Sequence, residues 1–253
     1  MGTETAQCAS CHPRCHLPPV NPAGPEPHDR LVTGSSVKFI SKENPLDQIF
    51  MRQLFIRTDK TFIPSLPRFT FEGKIYVIQS ASEAERAVQV LQRSPILGID
   101  TETRPAFRKG ENHKVALLQV ANEQICFLFR MNEIGFLPCM ANLLSNPEVL
   151  KVGLSLKDDF LMLRRRDESF TPAGYVELQD YARKMGIEDM SLQKLYANVF
   201  HKRLSKAARL SNWEADVLTD SQKVYAATDA YTCIQLYKEL KQLNESKNFE
   251  LVG

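Results

Sequence analysis

Apolar and polar positions fall into a regular rhythm only from Lys74 onward. Lys74–Ile78 alternates in β fashion, and Ser82–Leu91 then puts Ala84, Ala87, Val88 and Leu91 on one helical face. Pro95-Ile96-Leu97-Gly98-Ile99 is a short buried run ending at Asp100. Val115–Val120 and Ile125–Phe129 predict two strands, with Ala121-Asn122-Glu123-Gln124 as a hairpin turn between them. Leu137–Leu144 reads as a helix, Val149–Leu154 as a buried strand and Asp158–Arg166 as a helix with Phe160 and Leu163 inward. Tyr175–Leu178 reads as a fifth strand, followed by helices near Tyr181–Lys184 and Ser191–Val199. A long last helix starts near Thr219, where Thr219 and Gln222 have capping-box spacing, and carries Ala226, Ala230, Cys233, Ile234, Tyr237 and Leu240 at helical intervals. Three strands on short connections followed by alternating strands and helices predict a mixed α/β sheet, the first three antiparallel and the later ones joined by parallel crossovers.

The first 50 residues or so are rich in Pro, Ser, Gly and Asn and have little rhythm. Pro18, Pro19, Pro22, Pro25 and Pro27 forbid regular elements there, so residues 1–50 are expected to be a disordered or loosely attached tail. Residues 51–73 read as an extended lead-in, Pro64 and Pro67 breaking any helix, and residues 74–245 as the working domain. In the tail, Cys8-Ala9-Ser10-Cys11-His12 has haem-attachment spacing and contains zinc-ligand residue types, but the prolines after it favour an unstructured extension.

Composition narrows the class. The chain has 253 residues, 43% hydrophobic and 25% charged, which is ordinary for a globular protein with one sizeable core. No apolar run approaches the roughly 20 residues of a membrane span, and Met1–Ser10 lacks the apolar stretch of a signal peptide. The expected setting is a reducing compartment, cytoplasmic or, in a eukaryote, nuclear or organellar, with the six cysteines as thiols. A net charge of +2 excludes a histone-like polyanion binder but not a basic rim around an acidic pocket.

The acidic pocket is the informative feature. Asp100 and Glu102 are two apart at the end of a buried strand, so both face the same way. Asp159 begins a helix after another strand; its neighbour Asp158 is a rival, but Leu163 four residues beyond Asp159 fits the buried face beneath it. Tyr225 and Asp229, four apart on the last helix, share a face. Carboxylates gathered in one place cannot all stay ionised unaided; they take up protons or bind cations. Oxygen ligands suit a hard divalent ion, which points to chemistry on phosphate esters.

In this order the motifs resemble those of the DEDDy 3′–5′ exonucleases, the group of the ribonuclease D family, bacterial polymerase proofreading domains and the Werner-type exonuclease domain. Lys114-Val115-Ala116-Leu117-Leu118-Gln119, Ser211-Asn212-Trp213 and Tyr225-Ala226-Ala227-Thr228-Asp229-Ala230-Tyr231 look like Werner-type signatures, and Val224 stands where the histidine subclass carries its His. The resemblance implies a ribonuclease-H-like fold, here a mixed five-stranded sheet flanked by helices. It implies two Mg²⁺ or Mn²⁺ ions held at Asp100, Glu102, Asp159 and Asp229, with Tyr225 orienting a water and nucleoside 5′-monophosphates as product. The implied partner is nucleic acid with a single-stranded or recessed 3′ end, DNA or RNA. Thr101, Phe107, Arg203, Lys206 and Arg209 are candidate contacts to it: the cations lie just before Ser211-Asn212-Trp213, and Phe107 could stack on a terminal base. Trp213 is expected in the core and His113 on the surface. The helical nucleic-acid-binding domain that ribonuclease D relatives carry after the catalytic one has no counterpart in this pattern. Two rivals stand beside this reading: an end-binding module that does not cleave, and a phosphoesterase for small nucleotides.

Overall fold

The computed structural model describes residues 51–253; the Cys8–His16 run and the rest of the tail lie outside the described residues. Along the chain the elements are β1 (Arg52–Phe55), a 3₁₀ turn (Ile63–Ser65), β2 (Lys74–Ile78), α1 (Ala81–Leu91), β3 (Ile96–Thr103), β4 (Val115–Ala121) and β5 (Ile125–Arg130). There follow α2 (Met131–Ile134), α3 (Pro138–Ser145), β6 (Leu150–Gly153), α4 (Leu156–Arg164), β7 (Tyr175–Glu177), α5 (Leu178–Lys184), α6 (Leu192–Phe200), α7 (Asp220–Ser246) and β8 (Phe249–Val252). α1, α5, α6 and α7 start at side-chain N-caps. Ser80 and Glu83 form a capping box on α1, and Thr219 and Gln222 form one on α7.

The main sheet has six strands in the order β2-β5-β4-β3-β6-β7, which corrects the five-stranded expectation. β2 adds itself as a parallel edge on β5, because α1 is long enough to carry the chain across the sheet before β3 begins. β4 runs antiparallel to β3 on one side and to β5 on the other, and β6 and β7 extend β3 in parallel, as the connection lengths suggest. The β4–β5 turn is held by Asn122, whose Oδ1 accepts from the backbone N–H of Gln124 and of Ile125, both at 2.9 Å.

Two apolar layers sandwich the sheet. Leu97, Ile99, Val115, Leu118 and Val120 pack against α1, α3 and α4. The opposite face packs against α5, α6 and α7. Between β3 and α7 the backbones nearly touch: a Cβ on Gly98 would lie 1.9 Å from the Ala230 carbonyl oxygen.

The lead-in is more structured than expected. β1 pairs in parallel with β8, Arg52 opposite Phe249, which clasps the segment to the end of α7. Asn198 fixes it further, accepting from Phe55 N at 2.8 Å and donating to Phe55 O at 2.7 Å. Among the described residues no helix is long and apolar enough to cross a membrane.

Candidate active site

Strand parity and helix periodicity bring the acids together. On β3, Leu97 and Ile99 face α1, α3 and α4, so Asp100 and Glu102 face α7 with Gly98. Tyr225 and Asp229 come from α7, one helical turn apart. Carboxylate oxygens of Asp100, Glu102 and Asp229 lie within 4.8 Å of one another. Asp159 reaches the same strand end from the other face, from the first turn of α4: its Oδ1 accepts a hydrogen bond from Thr101 Oγ1 at 2.5 Å. Its Oδ2 is buried and has no partner. Asp158 points to solvent.

The turn that delivers Asp159 is strained and held. Ser155 has φ of 67°, a left-handed conformation costing a non-glycine residue roughly 1–2 kcal/mol. Its N–H donates to Glu177 Oε1 at 2.9 Å, and its Oγ accepts from Gln179 Nε2 at 3.0 Å. Sequence reasoning missed this bracket and the Thr101–Asp159 bond; both join residues far apart in the chain and leave no periodic signal.

Electrostatics confirm that the acids are crowded. Burial, followed by the charge of Asp229, holds the Asp100 carboxyl well above its ordinary range. Burial and the charges of Asp100, Asp229 and Asp159 push Glu102 up to about 10, with Arg209 pulling the other way. Burial and then Asp100 raise Asp159, partly offset by the Thr101 hydrogen bond. Burial raises Asp229 to about 7 against a hydrogen bond from Tyr225. Tyr225 is itself raised, by burial and then by Asp229 and Glu102, so its phenol stays protonated. A cluster of carboxylate ligands at one strand end, with a buried oxygen that has no partner, fits a hard divalent ion.

The remaining candidates scatter. Arg209 is exposed and near enough to act on Glu102. Arg203 is half-buried, its Nε donating to the Leu66 carbonyl at 2.9 Å, so its guanidinium is tied to the lead-in. Lys206 is exposed on a cavity wall beside Arg203. The Phe107 ring is 78% exposed on the loop between β3 and β4. Trp213 is fully buried, its ring 6.0 Å from that of Tyr225. The Ser211-Asn212-Trp213 stretch is anchored to α7 by Gln222, whose Nε2 donates to Ser211 Oγ and Asn212 O, both at 3.1 Å. His113 Nδ1 lies 3.2 Å from Glu214, which also pairs with Arg104.

The family model for 3′–5′ exonucleases matches residues 75–245. The mouse bifunctional 3′–5′ exonuclease/ATP-dependent helicase WRN is 32% identical over 192 residues, covering 72% of this chain but only 14% of that protein. An Arabidopsis thaliana 3′–5′ exonuclease is 31% identical over 198 residues, covering 72% of this chain and 68% of its own length. Among solved structures, the Aedes aegypti Nibbler EXO domain superposes with a TM-score of 0.64 at 21% identity, over 72% of this chain and 95% of that one, a likeness of fold. A ribonuclease-H-like sheet, a family match spanning most of the described residues and a tyrosine one turn before the last aspartate make this chain a member of the DEDDy 3′–5′ exonuclease family.

Proposed function

We propose that the protein hydrolyses the terminal phosphodiester bond at the 3′ end of DNA or RNA, releasing nucleoside 5′-monophosphates. The observation that carries this reading is the convergence of Asp100, Glu102 and Asp229 within 4.8 Å, with the free Oδ2 of Asp159 beside the same strand end. These four side chains would hold two Mg²⁺ or Mn²⁺ ions. Bound there, such ions stabilise charge on the attacking and leaving oxygens of an in-line displacement.

The chain's own groups supply position and proton control. Asp100 and Glu102 are positioned by the β3–β4 ladder, opposite Gln119 and Leu117, just beyond Gly98, where the pairing of β3 with β6 stops. Thr101 orients Asp159 by donating to one oxygen, leaving the other for a ligand. Tyr225 keeps its proton, donates to Asp229 and offers its lone pair to orient a water. In the overall reaction the water oxygen joins phosphorus, the P–O3′ bond breaks, and the leaving O3′ takes a proton. The mechanism thus calls for a positioned water rather than a protein nucleophile. Arg209, Lys206 and Phe107 are the side chains free to meet the strand.

A 5′-labelled single strand incubated with Mg²⁺ or Mn²⁺ tests this. A ladder of products shortened from the 3′ end is expected. Binding without shortening would make the protein an end-binding module, and turnover of small nucleotides alone would make it a phosphoesterase. Matched DNA and RNA strands decide the sugar preference.

A further inference from the structure

The segment ahead of the family match does more than lead into the sheet. β1 is clasped by β8 and Asn198, and Thr58 is buried, bonded through N–H and hydroxyl to Asp189. Residues 57–64 therefore stand fixed as one wall of a cavity of about 880 Å³. The α5–α6 turn and Arg203–Lys206 form the other walls. That volume is in the range of pockets that take a whole small ligand.

The lining is cationic. Arg57, Lys60, Lys194, Arg203 and Lys206 face two carboxylates, Glu188 and Asp189. Asp189 is turned inward, its oxygens occupied by Thr58 and Asn198. Glu188 is paired with Arg57 at 2.5 Å. Lys60 and Lys206 are exposed and make no ion pair among the described residues. Ile63, Pro64 and Leu204 add apolar surface between the charges. Lysine and arginine side chains gathered around one cavity suit the phosphates of a nucleic-acid backbone.

Two links connect the cavity wall to the segments that carry the acids. Ser205 lines both it and a small crevice whose other walls include Tyr225 and Asp229. On the other side Gln179 Nε2 bonds the Met190 carbonyl on the cavity wall, at 2.8 Å, and Ser155 Oγ in the turn before Asp159. A strand whose 3′ end sits at the acids must leave on its 5′ side, and this positively charged cavity lies one residue, Ser205, away from the crevice beside Tyr225 and Asp229.

We infer that the cavity roofed by residues 57–64 is an upstream strand site, taking the phosphates of single-stranded nucleic acid on the 5′ side of the terminal nucleotide. The inference rests on the exonuclease reading but reaches residues outside the family match, and it makes the lead-in the determinant of grip on longer strands. The test uses the full chain and a 5′-fluorescein single strand of about ten nucleotides, a length in the range of known single-strand sites. Anisotropy is read in EDTA over a series of salt concentrations. Lys60→Glu/Lys206→Glu should weaken binding about tenfold and lower the salt slope by roughly one for each phosphate that is no longer neutralised. Lys60→Met, which keeps length without charge, should give a smaller loss in the same direction. With Mg²⁺ present, the kcat/KM advantage of this strand over a dinucleotide should shrink by a similar factor. An unchanged salt slope and unchanged length preference would overturn the site, as would a mononucleotide competing as well as the strand. Weaker binding by the variants while no protein shortens any strand would uphold the cavity and discard the exonuclease reading instead.

Discussion

Two carboxylates, one fully buried and one half-buried with a buried oxygen, show how differently this fold treats acids. Asp189 is 2% exposed and saturated with donors: Thr58 N at 3.1 and 3.2 Å, the Thr58 hydroxyl, Asn198 Nδ2 at 3.3 Å and Lys194 Nζ at 3.6 Å. Asp159 has one hydrogen bond from Thr101, an orphan Oδ2, and acids for its charged neighbours. A buried acid that holds the fold together is surrounded by donors, because an unsatisfied one costs several kcal/mol. An acid left short of donors, in company with three others, is destabilising to the bare protein and is kept for what it binds.

The sharpest way to break this contrast is to delete one acid of each kind. Asp100→Ala should lower kcat by roughly 10³-fold or more, the scale of losing several kcal/mol of transition-state stabilisation. Its urea midpoint should hold or rise. Asp189→Ala should do the reverse, costing about 2–4 kcal/mol in urea unfolding by stranding the donors of Thr58 and Asn198. Its folded fraction should retain most of its activity. If Asp100→Ala unfolds the protein and Asp189→Ala does not, the distinction is wrong.

Smaller effects sharpen it. Tyr225→Phe removes the hydrogen bond to Asp229 and the water's orienter but no carboxylate, so it should slow turnover roughly 10–100-fold. Calorimetry should show divalent-ion binding preserved. The pH dependence of the metal-free protein follows from Asp229 at about 7 and Glu102 at about 10, both above an ordinary carboxyl near 4. Between those limits the native state holds more protons than the unfolded chain, so stability falls as pH rises from about 4 through 7 and on toward 10. Melting temperatures in EDTA should decline over that window, Mg²⁺ or Mn²⁺ should restore them most at the alkaline end, and Asp229→Asn should flatten the curve.

Much of the site is legible from spacing. Period two places Asp100 with Glu102, period four places Tyr225 with Asp229, and Leu163 selects Asp159 over Asp158. Periodicity speaks only of neighbours on one element. The β1–β8 pair joins two four-residue segments, Arg52–Phe55 and Phe249–Val252, too short and too mixed to announce themselves. Likewise Arg203 reads as an unattached cation in the sequence, yet its Nε is held by the Leu66 carbonyl. Thr101 reads as a group that meets the strand, and its hydroxyl also donates to a carboxylate brought in by α4 on its own face of the sheet. Such pairings arise when the layers close, so no local pattern carries them.

The missing side chain at Gly98 sets a limit on how this centre can vary. With only 1.9 Å between a would-be methyl and the Ala230 carbonyl, β3 and α7 rest on each other main chain to main chain. The gap between Asp100 and Asp229, two residues beyond Gly98 and one before Ala230, is therefore gauged by peptide groups and not by exchangeable core residues. Repacking elsewhere in the interior can shift without altering the spacing of the acids, whereas a single added carbon at this point would wedge them apart.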